Sequence, residues 1–89
     1  MRIEPDATKD VITRLRRAEG QIRGVITMLE DDRDCGEVVI QLAAVSRALD
    51  RAGFRLLASQ LQQCLATSAS EEDQATNLER LEKLFLSLA

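Results

Sequence analysis

The sequence predicts an all-α protein of three helices, two long and one short. Three observations carry that reading. Glycine, proline and aromatic residues are scarce, with four glycines and one proline in 89 residues, while Leu, Ala, Arg, Glu and Gln abound, the profile of helices packed on helices. Apolar residues recur at alternating spacings of four and three through two long runs. Polar segments suited to turns and caps separate the runs at only two places, around 31–34 and 67–70.

The first helix should run from about Asp6 to Asp31, with Pro5 placed before it. Val11, Leu15, Ala18, Ile22, Val25 and Leu29 form its seam, the pattern of a helix lying nearly parallel or antiparallel to another. Gly20 and Gly24 interrupt one of its faces. Each costs about 1 kcal/mol relative to alanine in a helix interior, so either another backbone or a ligand comes close there or they are simply tolerated. Asp31-Asp32-Arg33 makes a short connection. Asp34-Cys35-Gly36-Glu37 then resembles a capping box, Asp34 as cap and Glu37 reaching back. With Cys35 as its first residue, the second helix carries Val38, Leu42, Val45, Leu49, Ala52 and Leu56 and continues through Gln60 and Cys64 to about Ala66, with Gly53 mid-helix. Thr67-Ser68-Ala69-Ser70 is read as a loop. Ser70, three residues before Asp73, can start the third helix, whose greasy side is Leu78, Leu81, Leu84, Phe85 and Leu88. One domain over 1–89 is expected, without internal repeats.

Length sets a conflict with that second helix. Eighty-nine residues in a compact globule have a radius of gyration near 12 Å and a diameter of about 30 Å, whereas the 29 positions from Cys35 to Cys64 rise through about 43 Å. The helix ends and their apolar stripe are bare unless a further copy covers them, so the expectation is an obligate oligomer. The same length keeps the two sulfurs of one chain apart. If they cooperate, they do so across an antiparallel pair of identical subunits, where the start of one helix lies beside the end of its mate, giving two equivalent dithiol sites per dimer.

The N-terminal Met1-Arg2-Ile3-Glu4-Pro5-Asp6 is charged, and no apolar run suits a secretion signal or a membrane span. A cytoplasmic protein with no membrane partner is expected. Thiols stay reduced there, so two cysteines suggest metal binding or redox chemistry before a structural disulfide. Histidine is absent, which removes the usual general base, the usual zinc ligand and every Ser-His or Cys-His catalytic pair. Two cysteines in a helical protein are more often small buried hydrophobes than reactive thiols, but Cys35 sits at a loop-to-helix junction among Asp31, Asp32, Asp34 and Glu37. Cys35 is therefore expected as the attacking sulfur and Cys64 as the resolving one.

Net charge is −3, yet its distribution is uneven. Lys9, Arg14, Arg16, Arg17 and Arg23 against Asp10 and Glu19 leave the first helix locally at +3, and Arg47, Arg51 and Arg55 against Asp50 leave the middle of the second at +2. Arg47, Arg51 and Arg55, spaced by four, form a ridge; Arg16 and Arg23, seven apart, share a face with Arg14 and Arg17 beside them. Such ridges suit phosphate contacts and salt-sensitive DNA binding, although solvated arginine ridges are commoner.

Arg14-Leu15-Arg16-Arg17-Ala18-Glu19-Gly20-Gln21-Ile22-Arg23-Gly24 resembles the signature of the copper-sensitive-operon repressor family (CsoR/RcnR), and Gln41-Leu42-Ala43-Ala44-Val45-Ser46-Arg47-Ala48-Leu49-Asp50 resembles its second signature. The resemblance spans nearly the whole chain, and Cys35, position 60 and Cys64 match the spacing of that family's sensing triad. It implies a four-helix antiparallel dimer core, usually paired into a tetramer, that binds operator DNA and releases it when the inter-subunit site is filled. It implies no enzyme. By the same resemblance Arg14 and Arg51 are DNA-binding positions, with Arg16, Arg17, Arg23, Arg47 and Arg55 as helpers. Relatives with Cys-His-Cys sense Cu(I), but here the middle position is Gln60, and an amide is a poor ligand for a soft cation. The cysteine pair without histidine is similar to the persulfide-sensing branch, in which reactive sulfur species bridge the two thiols. Reactive sulfur is the expected inducer, with Cu(I) held by the thiolates of Cys35 and Cys64 as the alternative; no cofactor is required beyond that possible Cu(I). A thiol enzyme and an inert helical adaptor are the remaining readings.

Overall fold

The computed structural model describes residues 2–67 and 70–89, and consists of three α-helices: α1 (Pro5–Glu30), α2 (Cys35–Thr67) and α3 (Glu71–Leu88). The helix bounds follow the caps. Pro5 is the first residue of α1 rather than a residue before it, the position where its missing N–H costs nothing and its fixed φ is already helical. At the other end the chain leaves α1 through Asp32, whose φ of 56° is left-handed, a conformation that Asp tolerates better than most residues. Cys35 opens α2. Asp34 does accept from the Gly36 N–H at 3.0 Å, but Glu37 does not reach back. Its carboxylate takes the Arg33 Nε at 3.0 Å instead, because a cation four residues earlier offers it a charged partner. Ser70 caps α3 by accepting from the Asp73 N–H at 3.0 Å, as its spacing predicts. Of the expected 67–70 loop, Ser68 and Ala69 lie outside the described residues, and Thr67 belongs to α2.

Four residues between α1 and α2 leave room only for an antiparallel hairpin. The contacts agree: Asp10 near the start of α1 meets Arg55 late in α2, and Val25 near its end packs with Val38 and Val45 early in α2, with Met28 against them. The line between the helices is built from Ala7, Ala18 and Val25 on α1 and Val38, Val45, Ala52 and Ser59 on α2. On α2 these fall every seventh residue, so only half of the predicted seam is used within the chain. The other half stays open. Leu15, Ile22 and Leu29 on α1 and Leu42 and Leu49 on α2 remain exposed, from 40% at Ile22 to 63% at Leu29.

Among the described residues α3 packs on α2 and not on α1. It runs back along the second half of α2: Phe85 stacks edge-on against Phe54 with centroids 5.3 Å apart, and Leu88 lies over Gly53, where a built Cβ would meet a Leu88 methyl at 2.8 Å. Gly53 is thus the place where absence of a side chain admits a neighbouring helix. At Gly20 and Gly24 nothing of the chain comes within 4 Å of such a Cβ, so the close approach envisaged there does not occur within this chain.

The molecule measures 57 × 24 × 12 Å with a radius of gyration of 17.2 Å, against about 12 Å for a compact chain of this length. Twelve ångströms is about one helix diameter, so the helices form a single layer where stable domains stack two.

Candidate functional site

The layer has two unlike faces, and helical geometry fixes which residues lie on each. Taking about 100° per residue, Leu15, Ile22, Ile26 and Leu29 lie to one side of the α1–α2 contact line, and Leu42, Leu49 and Gln60 lie to that same side from α2. Because the two helices are antiparallel, these stripes merge into one apolar face, open at Leu15, Ile22, Ile26, Leu29, Leu42 and Leu49 and closed at the buried Gln60. The two cysteines lie along its margin. Their separation of 29 residues is eight turns and about 20°, so Cys35 and Cys64 mark the two ends of one line along α2, passing Leu42 and Leu49. No helix break intervenes between Cys35 and Thr67.

The two thiols have different surroundings. Cys35 is exposed at the first position of α2, whereas Cys64 is buried, only 7% accessible. Its cover is α3: the Cys64 Sγ lies 3.8 Å from the Gln74 carbonyl oxygen, which accepts from it within the longer reach of sulfur. Within the chain Cys35 is thus the more accessible of the two sulfurs. Position 60, read from the sequence as a lost ligand, has other work. Gln60 is buried and its Nε2 donates at 2.7 Å to the carbonyl oxygen of Arg2, tying the N-terminal segment to α2 one turn before Cys64. Among the described residues no group of three His, Cys, Asp or Glu side chains gathers to hold a metal. Within a single chain the sulfurs cannot form a site; with a second copy two thiolates suffice for a soft monovalent cation, which accepts linear coordination by thiolates.

The opposite face carries the arginines. A cleft of about 160 Å³ between α1 and α2 is lined by Arg14, Arg17, Gln21, Ala48 and Arg51, so the structure brings together three of the arginines named from the sequence, from two helices. Arg55 joins them through a shared carboxylate. The Asp10 Oδ2 accepts from the Arg14 Nε at 3.1 Å and forms an ion pair with the Arg55 guanidinium, its Nε 3.0 Å away. The Arg14 hydrogen bond above all holds the Asp10 carboxyl below its usual value; partial burial opposes this, and the Arg14 and Arg55 charges add to the lowering. Arg16 and Arg23 fall on the outer edge of α1 and Arg47 on the far side of α2, away from this cleft. Sequence reading missed Asp10, Gln21 and Ala48. Asp10 stood four residues before Arg14 and so was visible as a local pair; its bond to Arg55 was not.

No helix of the described residues is long and apolar enough to cross a membrane. The described residues thus form a thin helical layer with a thiol at each end of one face and converging guanidinium groups on the other. Residues 7–87 match the family described as "Metal-sensitive transcriptional repressor", and the chain belongs to that family. It is 39% identical over 66 residues to the copper-sensing transcriptional repressor CsoR of Bacillus subtilis (strain 168), an alignment covering 73% of this chain and 65% of that protein; the chain thus matches just under two thirds of that relative's length. Among solved structures, the nickel-responsive transcriptional regulator InrS superposes with a TM-score of 0.79 at 37% identity, covering 91% of both chains. The copper-sensing repressor CsoR with Cu(I) from Geobacillus thermodenitrificans NG80-2 superposes with a TM-score of 0.82 at 30% identity, covering 98% of this chain and 91% of the other. These neighbours share the all-α fold.

Proposed function

We propose that this chain is a cytoplasmic, non-enzymatic, operator-binding transcriptional repressor, active as a homodimer or as a homotetramer built from two dimers, and relieved when ligand joins Cys35 of one subunit to Cys64 of another. The observation that carries the reading is the placement of both cysteines along one line of α2, at the two ends of a stripe whose Leu42 and Leu49 the chain leaves exposed, with Cys35 exposed at one end and Cys64 buried at the other. An antiparallel copy laid on that face supplies the missing second layer, buries Leu42 and Leu49, and sets each Cys35 beside a Cys64.

Cu(I) is the inducer favoured by the copper-sensing relatives, and this reverses the order that the sequence suggests. Two thiolates are adequate donors for it. Reactive sulfur species remain the second reading for a specific reason: the chain holds no histidine, and Gln60 spends its amide on the Arg2 carbonyl, so the third ligand of a trigonal copper site is missing. On that route a Cys35 thiolate attacks a sulfane sulfur of the polysulfide, which leaves as a shortened polysulfide anion. Cys64 of the other subunit then displaces a further sulfide or polysulfide anion, completing the bridge.

Release follows from where the arginines sit. Arg51 and Arg55 are on the helix that the bridge would pull, while Arg14 and Arg17 are on the other. A shift of α2 against α1 by about 1–2 Å changes the spacing of the cleft's guanidinium groups relative to the phosphates they match. Reversible coupling of this kind is commonly worth about 1–3 kcal/mol and acts equally in both directions. The helices are too long to enter a groove end-on, so backbone and shape readout are expected to outweigh base-edge contacts.

The inducer is tested by one gel-shift series with DNA from upstream of the gene. The reduced protein is challenged separately with Cu(I), sodium tetrasulfide and hydrogen peroxide, and intact mass is read on every sample. Release by Cu(I) without added sulfur mass supports the copper reading, and release only with added sulfur mass replaces it by the second. Arg14→Ala and Arg51→Ala are each expected to abolish operator binding at physiological salt while oligomer mass stays unchanged; unaltered affinity would refute the placement of the DNA on this face.

A further inference from the structure

Among the described residues one ion pair joins two helices: Asp10 of α1 to Arg55 of α2. The others link residues four apart in sequence. The same Asp10 oxygen also holds Arg14, so a single carboxylate atom receives a guanidinium from each of the two helices, that of Arg14 lining the arginine cleft. Both contacts are made by Nε. The Arg14 guanidinium, held by its Nε–H on the carboxylate, keeps its two terminal amino groups beyond it, so its planar fork is aimed rather than free to rotate, while the Arg55 guanidinium is held near the same oxygen by charge. No carboxylate of the described residues lies within ion-pair distance of Arg17 or Arg51, so of the three arginines lining the cleft only Arg14 is held by a carboxylate.

We propose that Asp10 is a positioning residue for DNA binding: it fixes the Arg14 and Arg55 guanidinium groups in one arrangement and makes that arrangement depend on how α2 lies against α1. The proposal rests on the repressor reading above and extends it to a residue that touches no phosphate itself. Electrostatics alone argues for the opposite effect, since a negative charge beside four arginines weakens their attraction for a polyanion. What Asp10 gives is geometry. Exposed ion pairs add little to stability, and this one is about two-fifths exposed on both sides, so its removal is not expected to unfold the chain. A displacement of α2 by a bridge at its ends moves Arg55 directly, and through the shared oxygen it moves Arg14 on the other helix as well. Asp10 is thus the joint by which a change on the thiol face reaches both walls of the arginine face.

The test is a fluorescence-anisotropy titration of duplex DNA from upstream of the gene, at several salt concentrations, with the full chain as wild type, Asp10→Ala and Asp10→Asn. Asp10→Ala is expected to bind about tenfold more weakly, with the slope of log affinity against log salt kept within about one of wild type because no phosphate contact is deleted. Asp10→Asn, whose amide oxygen still accepts from Nε–H, is expected within about threefold of wild type. Helicity and oligomer mass should be unchanged in both. Equal or tighter binding by Asp10→Ala means that the carboxylate only repels DNA, and this overturns the proposal while leaving the repressor reading intact. Wild-type protein that binds no upstream duplex overturns the repressor reading, and the role given to Asp10 falls with it.

Discussion

Replacing Leu49 by aspartate is expected to leave a monomer of 9.9 kDa with much of its helix signal lost, where the parent chain is expected to sediment as a dimer or tetramer. Leu49 is 43% exposed in the isolated chain, and its neighbour along the same stripe, Leu42, is 54% exposed. Burying a leucine contributes about 1.5–3 kcal/mol, and a twofold interface counts each position twice. Aspartate forfeits that gain and adds the cost of an unpaired buried carboxylate, so the total loss is several kcal/mol in a protein whose single layer of helices has little else to hold it together. Leu49→Ala should be intermediate, shifting the association constant without abolishing helix. Sedimentation equilibrium with circular dichroism reads both. An oligomer unaffected by Leu49→Asp would mean that the copies meet elsewhere, and the thiol pairing would lose its support.

How much of this was legible in the sequence depends on the range of the interaction. Helix bounds were readable because caps act over three or four residues: Ser70 with Asp73, and Cys35 as the first residue of α2, stand as expected. Glu37 was read wrongly within the same range, since the capping box and the pair with Arg33 compete for one carboxylate and only the folded geometry decides between them. Which half of the seam is buried could not be read. The four-three alternation looks the same whether Val45 or Leu49 faces the neighbouring helix, and the choice is made by small residues such as Ala18 and Ala52 that let α1 and α2 approach. The convergence of Arg14, Arg17 and Arg51, the link from Asp10 to Arg55, and the burial of Cys64 under α3 each needs the register of two helices. Gln60 shows the limit most clearly: as a letter it was a missing ligand, and in the fold it is a tether to a carbonyl 58 residues away. The inducer is hidden for a chemical reason, since the same two thiolates suit a soft metal ion and a sulfane sulfur alike.

Cys35→Ala and Cys64→Ala are each expected to bind operator DNA like the parent and to be almost deaf to inducer, and mixing the two variants is expected to restore part of the response. The sulfurs of one chain stand about 43 Å apart along α2, so a functional pair must draw one thiol from each of two copies. Either variant alone assembles dimers in which every site has lost one sulfur. A mixed dimer differs: the chain that kept Cys64 faces the chain that kept Cys35, which makes one complete site, while the second site lacks both. Random exchange of subunits gives about half mixed dimers, hence about a quarter of the parent number of complete sites. After treatment with tetrasulfide, intact mass and a non-reducing gel should show covalently linked heterodimers carrying extra sulfur in the mixture and far fewer linked chains in either variant alone. With Cu(I), the metal held against a competing chelator should rise on mixing by the same proportion. Restoration requires that a thiol at the start of one α2 meets a thiol at the end of another, which only the antiparallel arrangement provides. A full response from Cys35→Ala or Cys64→Ala alone, or none from the mixture once exchange is verified, would show that the two cysteines do not act as a pair.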